Sequence, residues 1–204
     1  VTREAVIVDY GMGNVASVAN MIRKVGRKST LSSDPDVIAA ADYVILPGVG
    51  AFDAGISALR ARGLEPAITA AVARGARVMG ICLGFQLLFQ ESEEGRLPGL
   101  GLIRGRVQRF VFSDNQLRVP HMGWNVVHPV CRSVLFDPDA GEQRYYFVHS
   151  YHAYCENGED VSARCEYGGR FTCAIESGSV LGVQFHPEKS HRFGVALFKR
   201  YFDA

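Results

Sequence analysis

Surplus charge is what this chain lacks most. Its 204 residues carry 22 Lys and Arg against 21 Asp and Glu, a net charge of +1, with no basic or acidic block. Such a balance offers no polyanion a footprint, so neither nucleic-acid nor membrane-surface binding is expected. No apolar run approaches the roughly 18–20 residues of a transmembrane helix. The stretch from Val1 to Asp9 carries no leader pattern and opens straight into an apolar strand, so a cytoplasmic protein is expected. Cysteine is scarce and odd in number (Cys82, Cys131, Cys155, Cys165, Cys173), with no Cys-x-x-Cys pair. That pattern speaks against a disulfide framework and a zinc ribbon, and leaves reduced thiols with no metal and no cofactor. Tryptophan occurs once, at Trp124. No internal repeat, low-complexity segment or long linker interrupts the chain, so residues 1–204 are read as a single domain.

What is present is an ordinary globular balance, 48% hydrophobic and 21% charged, long enough to bury a core without staples. The first half alternates strand and helix signals. Ala5–Val8 reads as a buried strand closed by Asp9-Tyr10-Gly11-Met12-Gly13-Asn14, and Val15 to Val25 has helical spacing. Asp34-Pro35 starts a second helix. Tyr43–Leu46 is another buried strand, ending in Pro47-Gly48-Val49-Gly50, with helices expected over Phe52–Leu59 and Glu65–Ala73. Alternation of this kind predicts an α/β fold with a mostly parallel central sheet flanked by helices. In the second half, strands are predicted over Leu102–Phe112, Trp124–Val130, Tyr145–Tyr151, Val161–Cys165, Phe171–Ile175 and Val180–Phe185, as antiparallel additions. A terminal helix is expected over Ser190–Phe202.

The chemistry concentrates at Gly80-Ile81-Cys82-Leu83-Gly84, between the strand Arg77-Val78-Met79 and the helical pattern Phe85-Gln86-Leu87-Leu88-Phe89. A nucleophile between two glycines at a strand-to-helix turn is the layout of a nucleophile elbow. The helix start directs backbone N–H groups at the sulfur and favours the thiolate. A free cysteine in apolar surroundings is more often a small packed hydrophobe; the flanking glycines set Cys82 apart. Of six histidines, His186 ends the apolar strand Val180–Phe185 and is followed by Pro187-Glu188. Its ring is therefore offered at the carboxyl end of a strand, where open α/β sheets bind ligands. Glu188 can accept the second ring N–H, making Cys82, His186 and Glu188 a nucleophile, base and orienter. Pro47-Gly48-Val49-Gly50 can turn the Gly50 N–H outward to form an oxyanion hole with the N–H of Leu83. Gly11-Met12-Gly13-Asn14 lacks the third glycine or the Lys-Ser/Thr of a phosphate loop.

Gly80-Ile81-Cys82-Leu83-Gly84-Phe85-Gln86 together with Gln184-Phe185-His186-Pro187-Glu188-Lys189-Ser190 resembles the signature pair of class I (triad) glutamine amidotransferases, which have a flavodoxin-like fold. Pro47 to Phe52, Pro120-His121-Met122-Gly123-Trp124-Asn125 and Tyr145 to Tyr151 resemble the glutaminase subunits of imidazole glycerol phosphate synthase, of histidine biosynthesis. The resemblance implies hydrolysis of glutamine through a Cys82 thioester, with Gln86, Glu94, Ser150 and Tyr151 holding the amino-acid end of the substrate. It also implies a heterodimer with a (β/α)8-barrel cyclase subunit, which takes up the ammonia to make imidazole glycerol phosphate and AICAR. Trp124, Asn125, Tyr146 and Lys189 would then face that partner. Apart from the resemblance, Glu94 lies in the charged run Glu91-Ser92-Glu93-Glu94 and reads as a solvated helix end. Phe85 departs from the family pattern, in which methionine or histidine is commoner, and bears on packing beneath the glutamine pocket. Three other readings compete: an amidotransferase subunit serving anthranilate, pyridoxal phosphate or GMP synthesis; a non-catalytic interaction subunit; and a cysteine peptidase on a related fold.

Overall fold

Four short runs of continuously apolar residues build the centre of the molecule. In the computed structural model, which describes residues 4–112 and 117–204, they form β1 (Ala5–Val8), β3 (Tyr43–Gly48), β4 (Arg77–Cys82) and β12 (Val180–Val183). Val1 to Arg3, the start of the stretch read for a leader, lie outside the described residues. Such runs are needed because helices cover the sheet on both faces. Val6, Val8, Val44 and Leu46 point into one core with Phe52, Ile56 and Ile68 of the helices α3 (Phe52–Ala61) and α4 (Leu64–Ala73). Ile7, Ile45, Met79 and Ile81 point into the other, against α1 (Val15–Lys24) and α6 (His191–Asp203). The predicted boundaries of α1, α3, α4 and α6 fall within two residues of those found. Asp34 caps α2 (Pro35–Ala40), its side chain accepting the Asp36 N–H.

The sheet has twelve strands in the order β2-β1-β3-β4-β12-β11-β10-β7-β8, with β5, β6 and β9 on a branch beside β11. From β2 (Ser29–Ser32) to β12 all neighbours are parallel. Beyond β12 the partners β11 (Arg170–Ser177), β10 (Val161–Glu166), β7 (His121–Pro129) and β8 (Gln143–His149) are antiparallel. On the branch, β5 (Phe89–Ser92) runs parallel to β6 (Ile103–Arg109), and β6 pairs antiparallel with β9 (Tyr151–Cys155).

Three elements differ from expectation. β2 is a polar, half-exposed edge strand whose only large apolar residue, Leu31, faces solvent. The helix after Cys82, α5, stops at Leu87, and Phe89 begins β5 instead of continuing it. The single strand predicted over Tyr145–Tyr151 is two, because the chain breaks at Ser150 between β8 and β9.

Candidate active site

Three adjacent parallel strands deliver the candidate groups to one edge of the sheet. β3, β4 and β12 end side by side, with Gly48 in register with Cys82 and Val183 with Ile81. The loop of Gly50, the sulfur of Cys82 and the ring of His186 therefore emerge together at the carboxyl ends of the strands.

Cys82 sits at the turn itself, with φ 55° and ψ −108°. That conformation is strained for an L residue and holds the side chain at the apex. The turn closes because its flanks are glycines. A Cβ on Gly80 would lie 2.6 Å from the Gly84 carbonyl oxygen, and one on Gly84 would strike the Leu46 carbonyl. Leu83 is the first residue of α5, so its N–H has no partner within the helix. Cys155 and Cys165 are pushed up to about 12 by burial, and burial also raises Cys173. None of these three can supply a thiolate near neutral pH.

His186 Nδ1 lies 2.8 Å from Glu188 Oε1, and the two side chains are only 2% and 3% exposed. Ser190 fixes the backbone of this segment. Its hydroxyl donates to the His186 carbonyl at 2.6 Å and accepts the Tyr146 N–H at 3.0 Å, while the His186 N–H donates to the Tyr146 carbonyl. Burial opposes the imidazolium, but the Cys82 sulfur and the Glu188 carboxylate outweigh it and raise His186 to about 10. Nε2 is close enough to Cys82 to feel its charge, yet makes no hydrogen bond of good geometry. Such contacts tighten when substrate binds.

A cleft of about 280 Å³ opens over Cys82. Gly50, Leu83 and Gln86 line one side of it; Glu94, Ser150, Tyr151, His186 and Lys189 line the other parts. A larger depression of about 390 Å³ lies beside Arg96 and Arg106, and neither Cys82 nor His186 lines it; chemistry selects the cleft over Cys82. Glu94 corrects the solvated-helix-end reading. It stands in the turn after β5, half-buried, and its Oε2 accepts the Phe52 N–H at 3.0 Å. Burial raises its pKa, and the Phe52 N–H pulls it back. Gln86 is buried, its amide donating to the Tyr151 carbonyl at 3.2 Å and to Gln184 Oε1 at 3.0 Å. Phe85 packs edge-on against Phe89 at 5.3 Å and fills the space above Gly182, where a Cβ would collide with its ring. Among the described residues, no group of three or more His, Cys, Asp or Glu is placed to hold a metal ion.

Trp124 and Tyr146 meet edge-on at 6.3 Å, and the Lys189 ammonium lies 5.9 Å from the Tyr146 ring. Met122 is 62% exposed and Trp124 46%. Asn125, expected on the same face, departs from it. Its amide is committed inward, to His121 Nε2 at 3.2 Å and the Glu166 carbonyl at 2.9 Å.

Sequence reasoning did not single out Gln184, Tyr10, Ser190, His121 or His149. Gln184 is fully buried, with its amide nitrogen 4.0 Å from Cys82 Sγ. The Tyr10 hydroxyl donates to the Pro47 carbonyl at 2.7 Å, anchoring the glycine loop; burial and then the charge of Cys82 raise its pKa. Gln184 and Ser190 stood inside the motif around His186, where position alone could have flagged them. Tyr10 carried no signal, since its partner is 37 residues away.

A thiol at a strained elbow, a buried histidine–carboxylate pair and a glycine loop on neighbouring parallel strands describe a class I glutamine amidotransferase. Residues 6–203 match the model of the glutamine amidotransferase class-I family, and the chain belongs to that family. Its relatives include imidazole glycerol phosphate synthase subunit HisH 2 of Pseudomonas aeruginosa, 46% identical over 97% of this chain and 98% of that protein. The subunit of the same name from Methanococcus maripaludis is 44% identical over 96% of each. Among solved structures, PurLQS from Thermotoga maritima superposes with a TM-score of 0.76 at 22% identity, over 100% of this chain and 99% of that one. That likeness concerns the fold.

Proposed function

We propose that this chain is the glutaminase subunit of an imidazole glycerol phosphate synthase, acting in the cytoplasm as a single amidotransferase domain. It would deliver ammonia to a (β/α)8-barrel cyclase subunit, with which it forms a heterodimer. Trp124, Tyr146 and Lys189 form the docking rim in this reading. The observation that carries the chemistry is the buried 2.8 Å contact between His186 and Glu188 beside Cys82 at the elbow. The close likeness to relatives named as synthase subunits supports the acceptor.

The Cys82 thiolate attacks the carboxamide carbon of glutamine, forming a C–S bond and an oxyanion that the Gly50 and Leu83 N–H groups stabilise. Collapse of the tetrahedral adduct breaks the C–N bond, and the imidazolium of His186 gives its Nε2 proton to the departing ammonia. His186, now neutral and oriented by Glu188, takes a proton from water. The hydroxide adds to the thioester and the C–S bond breaks, releasing glutamate, with thiolate and imidazolium restored. Gln86, Glu94, Ser150 and Tyr151 bind the α-amino and α-carboxyl end.

Glutamate release by the purified chain together with its cyclase tests the reading. Cys82→Ala is expected to abolish release while leaving the heterodimer intact. Undiminished turnover in that variant would overturn the mechanism, and co-purification with a chorismate-using subunit would overturn the acceptor.

A further inference from the structure

Strand β7 has two unlike faces. Met122 and Trp124 are exposed, whereas His121 is 3% exposed and begins a series of hydrogen bonds that ends in the cleft. Asn125 Nδ2 reaches His121 Nε2 at 3.2 Å, His121 Nδ1 reaches His149 Nε2 at 2.9 Å, and His149 Nδ1 reaches the Tyr151 carbonyl oxygen at 2.8 Å. The direction is forced from both ends. A carbonyl only accepts, so His149 carries its proton on Nδ1 and leaves Nε2 bare. His121 must then donate from Nδ1 and accept at Nε2, where the Asn125 amide donates. From the opposite side, Gln86 donates to the same Tyr151 carbonyl at 3.2 Å, and through Gln184 this arm reaches Cys82. Donors converge on one oxygen, so the series conducts no proton; it transmits position.

The rings lie in an aromatic box. His121 stacks on Tyr167 at 4.1 Å and on Phe147 at 4.8 Å, and His149 is flanked by Phe110 and Phe171. The titratable groups facing them include Tyr167 against His121, His152 on β9, His186 beyond β12, and Glu93, which acts on His152. Burial holds His121 near 4 and His149 near 3, so both rings are neutral at working pH, as the directed series requires. Apolar rings of the same size would fill the box equally well. Only the bonds to Asn125 and Tyr151 account for imidazoles there.

We propose that His121 and His149 are positioning residues that hold the Tyr151 carbonyl and Gln86 in register for glutamine, tying the cleft to the strand that presents Met122 and Trp124. The proposal rests on the glutaminase reading above.

Two variants and one spectrum test it. His149→Phe keeps a planar ring but removes the donor to Tyr151, and is expected to raise KM for glutamine about tenfold, the worth of one directed hydrogen bond, with kcat nearly unchanged. His149→Asn places an amide nitrogen near the lost Nδ1 and is expected to restore most of that affinity. An unchanged KM in the phenylalanine variant, or an asparagine variant no better than it, overturns the proposal. Ring nitrogen NMR of the unmutated protein needs neither variant to fold. It should show both histidines as Nδ1–H with bare Nε2 between pH 7.5 and 6; a proton on His149 Nε2 overturns the series. Wild-type chain that hydrolyses no glutamine even when assembled with its cyclase would instead overturn the glutaminase reading.

Discussion

Cys82 is one of two non-glycine residues with positive φ among those described, the other being His191. Strain at such a position costs about 1–3 kcal/mol and persists only where the surroundings impose it. Glycine relieves it, whereas alanine does not, and glycine's own unfolded-state cost is about 0.5–1 kcal/mol. Cys82→Gly is therefore expected to melt higher than Cys82→Ala, by about 1 kcal/mol of stability, with both variants inactive. Thermal denaturation of the pair checks this. Glu188→Gln tests the orienter: loss of the correct tautomer should lower kcat by about 10²–10⁴-fold with little change in KM, as in other triads. The raised His186 sets the sign of the alkaline limb. Its imidazolium, and the stability its partners contribute, is fully present below pH 6.5 and lost as pH rises to about 10. The pH profile of kcat/KM, which reports the free enzyme, should accordingly decline with a midpoint near 10.

At the scale of the elements, the elbow works because α5 lies directly on β3. A methyl group at Gly84 would overlap the Leu46 carbonyl, which belongs to the sheet and cannot retreat. Gly84→Ala should destabilise the fold by about 1–3 kcal/mol and displace the nucleophile. Gly158→Ala, where nothing lies within 4 Å, should be neutral within about 0.5 kcal/mol. Urea titrations of the two variants decide it. The βα alternation of the first half was legible because β1, β3 and β4 are buried on both faces and so read as unbroken apolar runs. β2 was not, since an edge strand needs no apolar face. β5 was hidden because Phe89 continues the helical spacing of Phe85, and only the pairing of Phe89, Glu91 and Ser92 with Ile103, Arg106 and Val107 makes it strand. The proposed triad was readable from local spacing, His186 and Glu188 being two residues apart and Cys82 marked by its glycines. Tyr10 acts on a carbonyl 37 residues away, and His121 and His149 meet across 28 residues, so no local pattern records these contacts.

Across the whole molecule, buried neutral histidines shape the response to acid. The folded values of about 4 for His121 and 3 for His149 lie below the ordinary 6.5. The unfolded chain therefore takes up protons as pH falls through 6.5, while the folded chain refuses them until about 4 and 3. Their contribution to stability is complete above pH 6.5 and is lost as pH falls toward those values. Unfolding free energy should drop between pH 6.5 and 5, before ordinary carboxylates titrate, and replacing His121 with Asn in the presence of an intact His149 should shallow that slope. Chemical denaturation at stepped pH measures it. The proposed docking rim belongs to this scale too. Trp124 is the chain's only tryptophan, 46% exposed and stacked on His191 at 5.6 Å with the planes 8° apart. All indole fluorescence therefore arises from one ring at the rim. Without any label, its emission should shift to the blue if the proposed cyclase covers it, giving the association a built-in optical signal.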